Sequence, residues 1–469
     1  MLRLHDTATG TVTPLELRDP ERVSMYVCGP TVYDVPHLGH GRFALAFDVL
    51  RRYLLFSGLE VTYVSNITDV DDHIIERSLE QGVTEQELAT TFEGVWWQAM
   101  DGIGVLRPDA DPHATAYIER MAAFVAELVD RGVAYETDDG VYLSVDAVPG
   151  YGLLAHQPLD SLRAGARVEV DAAKRSPLDF AVWKKAKAGE PTWPSRFGPG
   201  RPGWHTECVV MSLDLLGEGF DVHGAGIDLA FPHHENERAQ AVAAGRSFAR
   251  HWVHNGHVTV SGEKMSKSLA NFTSLVDLLA RGDSRAYRLL VVQAHYRSPI
   301  EVTPETIAQA EAGLGRLDEL ARRFCLSDGP SPGPAPVVVD PSAGGTTTEV
   351  DPAAVERFRQ RMDDDLDTPG AMAIIFDLVR EANALADAGE GTRARRAAST
   401  VRLLCGALGL IIGRATDEEL DDVTAERVRR RDDARANGDW EMADALRDQL
   451  QEAGWVVEDG PTGTRVRRR

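Results

Sequence analysis

Cysteine is scarce in this chain: four residues, Cys28, Cys208, Cys325 and Cys405, among 469. A secreted protein held by a disulfide framework would carry more, and more closely spaced. A reducing, cytoplasmic setting is therefore expected, with thiols free or bound to metal. Long apolar runs are also missing. A membrane span needs ~20 apolar residues in succession. The most apolar helical stretch, around 401–412, is interrupted by Arg402, Cys405 and Gly406 and reads as a buried helix. No membrane association is expected. Residues 1–10 carry charge early and have no apolar h-region, so no signal peptide is expected. Positive charge is in deficit too: 50 Lys and Arg against 73 Asp and Glu give a formal net charge of -23. As a whole, that opposes a nucleic-acid partner. Net charge is a sum, however, and basic clusters persist at 393–396, 427–431 and 465–469. They read either as solvated faces or as strips on which an acidic body holds a polyanion.

What is present is an ordinary globular balance, 43 % hydrophobic and 26 % charged. The length suffices for about two to four domains. Residues 22–29 (RVSMYVCG) read as a buried strand. A loop follows, then a helical pattern over 41–56 with Phe43, Phe47, Leu50 and Leu54 at helical spacing and Gly58 just past its end. Residues 60–67 read as a second strand. Strand, loop, helix and strand make a βαβ unit, and such sheets bind nucleotides at the carboxyl ends of their strands. That places 28–40 in the expected site. Thr84 and Glu87 form a capping box that opens a helix containing Trp96 and Trp97. Asp139-Gly140 signals a hairpin. The stretch at about 100–200 breaks the βαβ rhythm and reads as an insertion. The nucleotide pattern resumes over 219–228 and runs to 258.

From Thr303-Pro304-Glu305 the chain becomes helical. Residues 327–352, rich in Pro, Gly, Ser and Thr, read as a flexible loop. Thr368-Pro369 opens one further helix, and 392–413 is another. The expected organisation has three parts. A Rossmann-type, doubly wound parallel α/β domain covers 1–300, with the insertion at about 100–200 and a lysine-loop region at 251–300. A helical bundle covers 301–415 and contains the loop 327–352. A small charged module covers 421–469.

Three constellations carry chemistry. His37-Leu38-Gly39-His40 sits where the first loop enters its helix. A helix N-terminus offers N–H groups and positive potential to phosphate. Gly39 lets a nucleotide lie against the backbone, and two imidazoles can donate to phosphate oxygens as charge builds. The same pair also reads as capping or core histidines. Second, Lys264 and Lys267 stand three apart in the segment GEKMSKS. They suit a mobile loop closing over a triphosphate, although alone such a pair reads as a solvated loop. Third, Cys28, Cys208, His233 and Glu237 form a Cys₂-His-Glu set compatible with Zn²⁺. With Pro232 as a first helical residue, 233–237 is expected to be helical. That puts His233 and Glu237 on one face and points His234 and Glu235 elsewhere. The spacing is not that of a zinc finger, and the set also reads as two buried free thiols and a surface helix start.

HLGH together with KMSKS resembles the class I aminoacyl-tRNA synthetases, where such motifs flank ATP in a Rossmann fold. CGPTVYDVPHLGHGR, NITDVDD, GRPGWHTEC and FPHHENE narrow the resemblance to the cysteinyl-tRNA synthetases. It covers nearly the whole chain and is weakest over 327–352. The resemblance implies a ligase that activates L-cysteine with Mg²⁺-ATP to cysteinyl-adenylate and transfers it to tRNA(Cys). It implies one Zn²⁺ on Cys28, Cys208, His233 and Glu237, binding the substrate thiolate. It implies ATP contacts at Gly39, Asp228, His37, His40, Lys264 and Lys267, the last four being catalytic. Gly29, Thr68 and Trp204 are the implied cysteine-binding residues. Ala225 and Ala270 stand where the family usually has Gly. The last module resembles the family's anticodon-binding region. Trp440 would stack on a base and Arg431, Arg435 and Arg447 would supply charge, unless Trp440 is simply core. A monomer is expected. Three rivals remain: an amino-sugar cysteine ligase of the mycothiol pathway, which lacks a full anticodon module, a non-catalytic RNA- or zinc-binding paralogue, and an H-x-G-H nucleotidyltransferase.

Overall fold

A computed structural model describes residues 1–157, 174–260, 263–264, 274–326, 350–413, 422–460 and 463–468. They divide into two units, Met1–Ile412 and Gly413–Arg469. Four parallel strands form the centre of the first unit, in the order His251–Asn255, Val222–Gly226, Arg22–Val27, Glu60–Ser65. Arg22–Val27 is buried at every residue after the first, as expected of a strand covered on both faces. One of its neighbours follows it directly through the helix Leu38–Phe56, and the other arrives some 200 residues later. The strand order therefore reverses at Arg22–Val27, and the crevice beyond its carboxyl end is the topological switch point.

The helix Leu38–Phe56 begins three residues earlier than its apolar period indicates, because His37 caps it. It ends at Ser57, with Gly58 at φ 92°. Glu85–Gly102 opens on the expected Thr84/Glu87 capping box. Isolated bridges Val64–Ala110 and Ile67–His113 extend the edge of the parallel sheet, so the segment around 110–113 belongs to the nucleotide fold. The insertion starts later than 100, with the helix Ile118–Asp130. It continues as an antiparallel sheet of Ala134–Glu136, Gly140–Leu143, Phe180–Lys185 and Gly200–Pro202. The helix Trp204–Leu216 then returns the chain to the central sheet.

His251–Asn255 ends the parallel sheet, and after Gly256-His257 the strand Val258–Val260 joins a small sheet with Ile300–Glu301 and Glu263–Lys264. Among the described residues, the helices Pro304–Arg323, Pro352–Asp363, Thr368–Asp387 and Gly391–Ala407 follow. The second was not anticipated; Asp351 caps it and Pro352 fills its first turn. Residues 327–349 of the expected loop lie outside the described residues. The bundle is not a separate body: its core is continuous with that of Leu38–Phe56, for example where Phe56 meets Phe358 at 5.9 Å. The second unit holds the helices Asp422–Ala436 and Trp440–Glu452 and the hairpin Trp455–Gly460 with Gly463–Arg468, around Leu450, Trp455 and Val457. Among the described residues, no helix is long and apolar enough to cross a membrane.

Candidate functional site

A cleft of about 350 Å³ opens at the switch point, lined among others by Cys28, Gly29, Gly39, Trp204, Asp228 and Asn255. His37 and His40 also line it. His37 is the N-cap of its helix. Its Nδ1 accepts from the His40 N–H at 3.2 Å, and the Nδ1 of His40 accepts from the His37 N–H at 3.2 Å. The two histidines thus form a reciprocal capping box of the kind usually built from Ser/Thr and Glu. The rings stack at 3.7 Å. Because each Nδ1 accepts, each neutral ring carries its proton on Nε2. The cap therefore fixes both imidazoles as Nε2–H donors. Of the readings open to this pair, the geometry shows capping.

Asp228 lines the same cleft, and a Cβ at Gly226 would come within 2.7 Å of its Oδ1. Ala225 belongs to the core and is not among the cleft-lining residues. Lys264 ends the short strand paired to Val258–Val260. Residues 265–273, including Lys267 and Ala270, lie outside the described residues. The chain re-enters at Ser274, which is bridged to His37, with the Leu275 N–H on Pro36 O at 2.9 Å. The far end of the lysine segment is thus anchored beside the histidine pair.

Below the cleft, ligand atoms of Cys28, Cys208, His233 and Glu237 lie within 4.8 Å of one another, all four side chains buried. Cys28 Sγ is 3.7 Å from Cys208 Sγ and 3.5 Å from Glu237 Oε1; His233 Nε2 is 3.1 Å from the same Oε1. Two thiolates bound tetrahedrally at ~2.3 Å would stand about 3.8 Å apart. This buried cluster is compatible with a metal site, and its sulfur, nitrogen and carboxylate donors suit Zn²⁺. Its electrostatics point the same way. Burial pushes the Glu237 carboxyl upward, but the charges of His223 and His233 outweigh it and hold it at about 2. Burial likewise opposes protonation of His233, yet the Glu237 charge and hydrogen bonds raise it to about 10. The hydrogen bond from Cys28 lowers Cys208 to about 6, whereas burial pushes Cys28 up. In this pocket the Glu237 carboxylate and the Cys208 thiolate face a protonated His233.

As expected, 233–237 is helical: Phe231, before Pro232, has extended backbone (φ -141°, ψ 132°), and the π-type turn 230–234 runs directly into the helix Glu235–Ala243. His233 and Glu237 pair on one face as expected; the orientation expected of His234 does not hold. Its Nε2 lies 3.3 Å from Cys28 Sγ, its Nδ1 2.9 Å from His254 Nε2, and His254 Nδ1 2.7 Å from Thr7 Oγ1. Burial keeps His234 neutral and lowers His254 to about 3. His254 and His234 thus link Thr7 to Cys28 in one continuous hydrogen-bonded chain. His223 braces the other carboxylate oxygen of Glu237 at 2.8 Å. Neither His223 nor His254 stands out in the sequence, since the two adjacent strands that carry them are recognisable only as apolar.

Of the expected amino-acid contacts, Gly29 and Trp204 line the cleft. The Trp204 ring packs over His233 at 4.1 Å. A Cβ at Gly29 would fall 1.6 Å from Asn66 O. Thr68 is buried and is not among the cleft-lining residues; it donates to Glu207 Oε2 at 3.1 Å and accepts from Asn66 Nδ2 at 3.1 Å. In the second unit Trp440 is 64 % exposed, which removes the core alternative. Arg447 is exposed and Arg435 half-buried. Arg431 is turned inward, 3 % exposed, with its guanidinium on Thr464 Oγ1 at 2.5 Å. It serves the module's own packing rather than presenting charge.

This architecture is that of the class I aminoacyl-tRNA synthetases. A solved Mycobacterium tuberculosis methionyl-tRNA synthetase with methionyl-adenylate matches with TM-score 0.59, covering 83 % of this chain and 89 % of that one; at 17 % identity the likeness concerns the fold alone. The profile "tRNA synthetases class I (C) catalytic domain" matches residues 14–312, "DALR domain" matches 357–412, and "Cysteinyl-tRNA ligase anticodon binding domain" matches 417–467. Curated cysteine–tRNA ligases of Halorhodospira halophila and Thioalkalivibrio sulfidiphilus are 44 % and 45 % identical over 481 residues, spanning the whole of each chain. One from Vibrio cholerae is 42 % identical over 479 residues, again across both chains. The chain belongs to the cysteinyl-tRNA synthetase family and is a ligase that forms an aminoacyl-tRNA.

Proposed function

We propose that the chain activates L-cysteine with Mg²⁺-ATP and transfers it from cysteinyl-adenylate to tRNA(Cys). One observation carries this reading: the Cys28, Cys208, His233 and Glu237 cluster lies beside the cleft that His37 and His40 line, with Cys28 common to both. Zn²⁺ held by those four residues would bind a soft thiolate far better than a serine hydroxyl, giving selectivity without an editing site. Gly29 and Trp204 bound the pocket for the amino acid, and Thr68 supports it from behind. Gly39 leaves room for the nucleotide, and Asp228 is placed to hold its polar groups. As the cysteine carboxylate attacks the α-phosphate, the Nε2–H groups of His37 and His40 donate to the oxygens that gain charge. Lys264 and Lys267 neutralise the departing pyrophosphate. Trp440 and Arg447, with Arg435, contact the anticodon. The anticodon-domain match over 417–467 favours tRNA over an amino-sugar acceptor.

The test is cysteine-dependent ATP–pyrophosphate exchange with serine as control, followed by transfer of labelled cysteine to tRNA. Exchange with cysteine alone, and charged tRNA, is the expected result. Exchange without charging would shift the acceptor to an amino-sugar. No exchange from zinc-replete protein would overturn the reading.

A further inference from the structure

Arg42 lies two residues past His40 on the helix Leu38–Phe56 and is 1 % exposed. Among the described residues no carboxylate is paired with it. Its guanidinium donates instead to four backbone carbonyls: those of His257 and Ser298 in short contacts, Tyr296 at 3.1 Å and His295 at 3.4 Å. Burial lowers its pKa to about 10, so it remains a cation at neutrality. A buried cation with no counter-anion is a costly way to fill a core. What only a planar fork can do is gather several carbonyls at fixed angles.

The gathered segments are specific. His257 immediately precedes Val258–Val260, and 295–298 precede Ile300–Glu301; these two strands pair with each other, and Val258–Val260 also pairs with Glu263–Lys264. Asn255, Gly256, His257 and Val258 line the same cleft as His37 and His40. Gly256 tightens the same junction: its N–H donates to Tyr296 O at 2.8 Å, and a Cβ there would fall 2.4 Å from Arg297 O and 2.8 Å from Ser298 O. One side chain therefore joins the helix bearing the histidine pair, one wall of the cleft, and the strands from which the lysine segment departs.

We propose that Arg42 is a positioning residue for adenylate formation, clasping the His257 wall and the stem of the lysine segment to the histidine helix and so setting the width of the nucleotide cleft. The proposal rests on the reading of that cleft as the ATP site. It is tested on the full-length, zinc-loaded protein with Arg42→Lys, whose three donors sit on one nitrogen and do not span four carbonyls. In pyrophosphate exchange, KM for ATP is expected to rise about 5-fold or more and kcat to fall about 10-fold or more, as for a small misplacement of reacting groups. KM for cysteine and zinc content per chain stay unchanged. A purely structural residue would lower the active fraction and leave both KM values where they were; that outcome, or wild-type kinetics, overturns the proposal. If Arg42→Lys does not fold, Gly256→Ala decides: it parts the same segments without touching Arg42 and is expected to raise KM for ATP but not for cysteine. Wild-type ATP affinity in that variant, or failure of both variants to fold, overturns the proposal. Loss of exchange in the wild-type protein would instead overturn the ATP reading itself.

Discussion

Substituting His37 separates its two tasks. The ring caps the helix through Nδ1 and, in the proposed reaction, donates through Nε2–H. Serine is a favoured N-cap residue whose hydroxyl can accept from the His40 N–H, yet it is too short to reach a phosphate held by the imidazole. Alanine offers neither. His37→Ser is therefore expected to keep its urea midpoint close to wild type, while His37→Ala loses about 1 kcal/mol. Both lose the donor. Removal of one preorganised donor from a developing oxyanion costs about 10²–10³ in turnover, or roughly 3–4 kcal/mol of barrier. Pyrophosphate exchange at saturating ATP and cysteine measures that loss, and urea unfolding measures the cap. Near-wild-type exchange by His37→Ser would refute a donating role. Equal destabilisation of both variants would refute the capping argument.

Metal analysis of protein purified without chelator is expected to give one Zn²⁺ per chain, with Cys208→Ser reducing it. Uptake should release protons: a ligand nitrogen must be deprotonated to bind, and His233 is raised to about 10, so at neutral pH its proton has to leave, as does that of Cys28. Affinity should therefore climb with pH across the window from about 6, where Cys208 titrates, to about 10; calorimetry in buffers of different ionisation enthalpy measures it, and a pH-independent affinity would contradict it. Trp440→Ala should leave the unfolding midpoint unchanged and pyrophosphate exchange intact while weakening tRNA charging by the ~1–3 kcal/mol of a lost base stack; Arg431→Ala should instead destabilise the small unit. Arg288→Met removes a cation that bonds Asp48 at 2.6 Å and the carbonyls of Ile103, Gly104 and Leu408; about 3–5 kcal/mol of destabilisation is expected in urea, and a loss below about 1 kcal/mol would show that Arg52, which bonds the same carboxylate at 2.7 Å, alone satisfies Asp48.

Local signals in the sequence were reliable where local rules decide. The capping box at Thr84, the turn at Asp139-Gly140 and the first βαβ unit all stand where periodicity and turn chemistry put them. Errors arose where tertiary partners decide. Nothing near His234 reveals that the wide turn over 230–234 brings its ring to Cys28. Arg431 lies in a basic run that reads as solvated, and only the pairing of the terminal hairpin brings Thr464 to it. The helix Pro352–Asp363 was hidden behind a segment rich in helix breakers. His223 and His254 lie on adjacent parallel strands, beside Trp252 and Ala225 respectively, and both rings meet His234, a relation that spacing does not encode. The four clustered ligand residues came from motif resemblance. Their convergence needed the sheet.

That convergence has a temporal side. Cys28 and Glu237 are 209 residues apart, and the strand between their two neighbourhoods, Val222–Gly226, must pair with Arg22–Val27 before the four side chains can meet. At ~5–20 residues per second of synthesis, the Cys28 thiol emerges roughly 10–40 s before Glu237. A chain stalled or truncated before residue 237 would carry two thiols and a histidine on an unfinished sheet, poorly placed to retain metal. Metal retention by nascent chains of increasing length would thus serve as a clock for closure of the central sheet, with capture setting in only once the helix Glu235–Ala243 has left the ribosome.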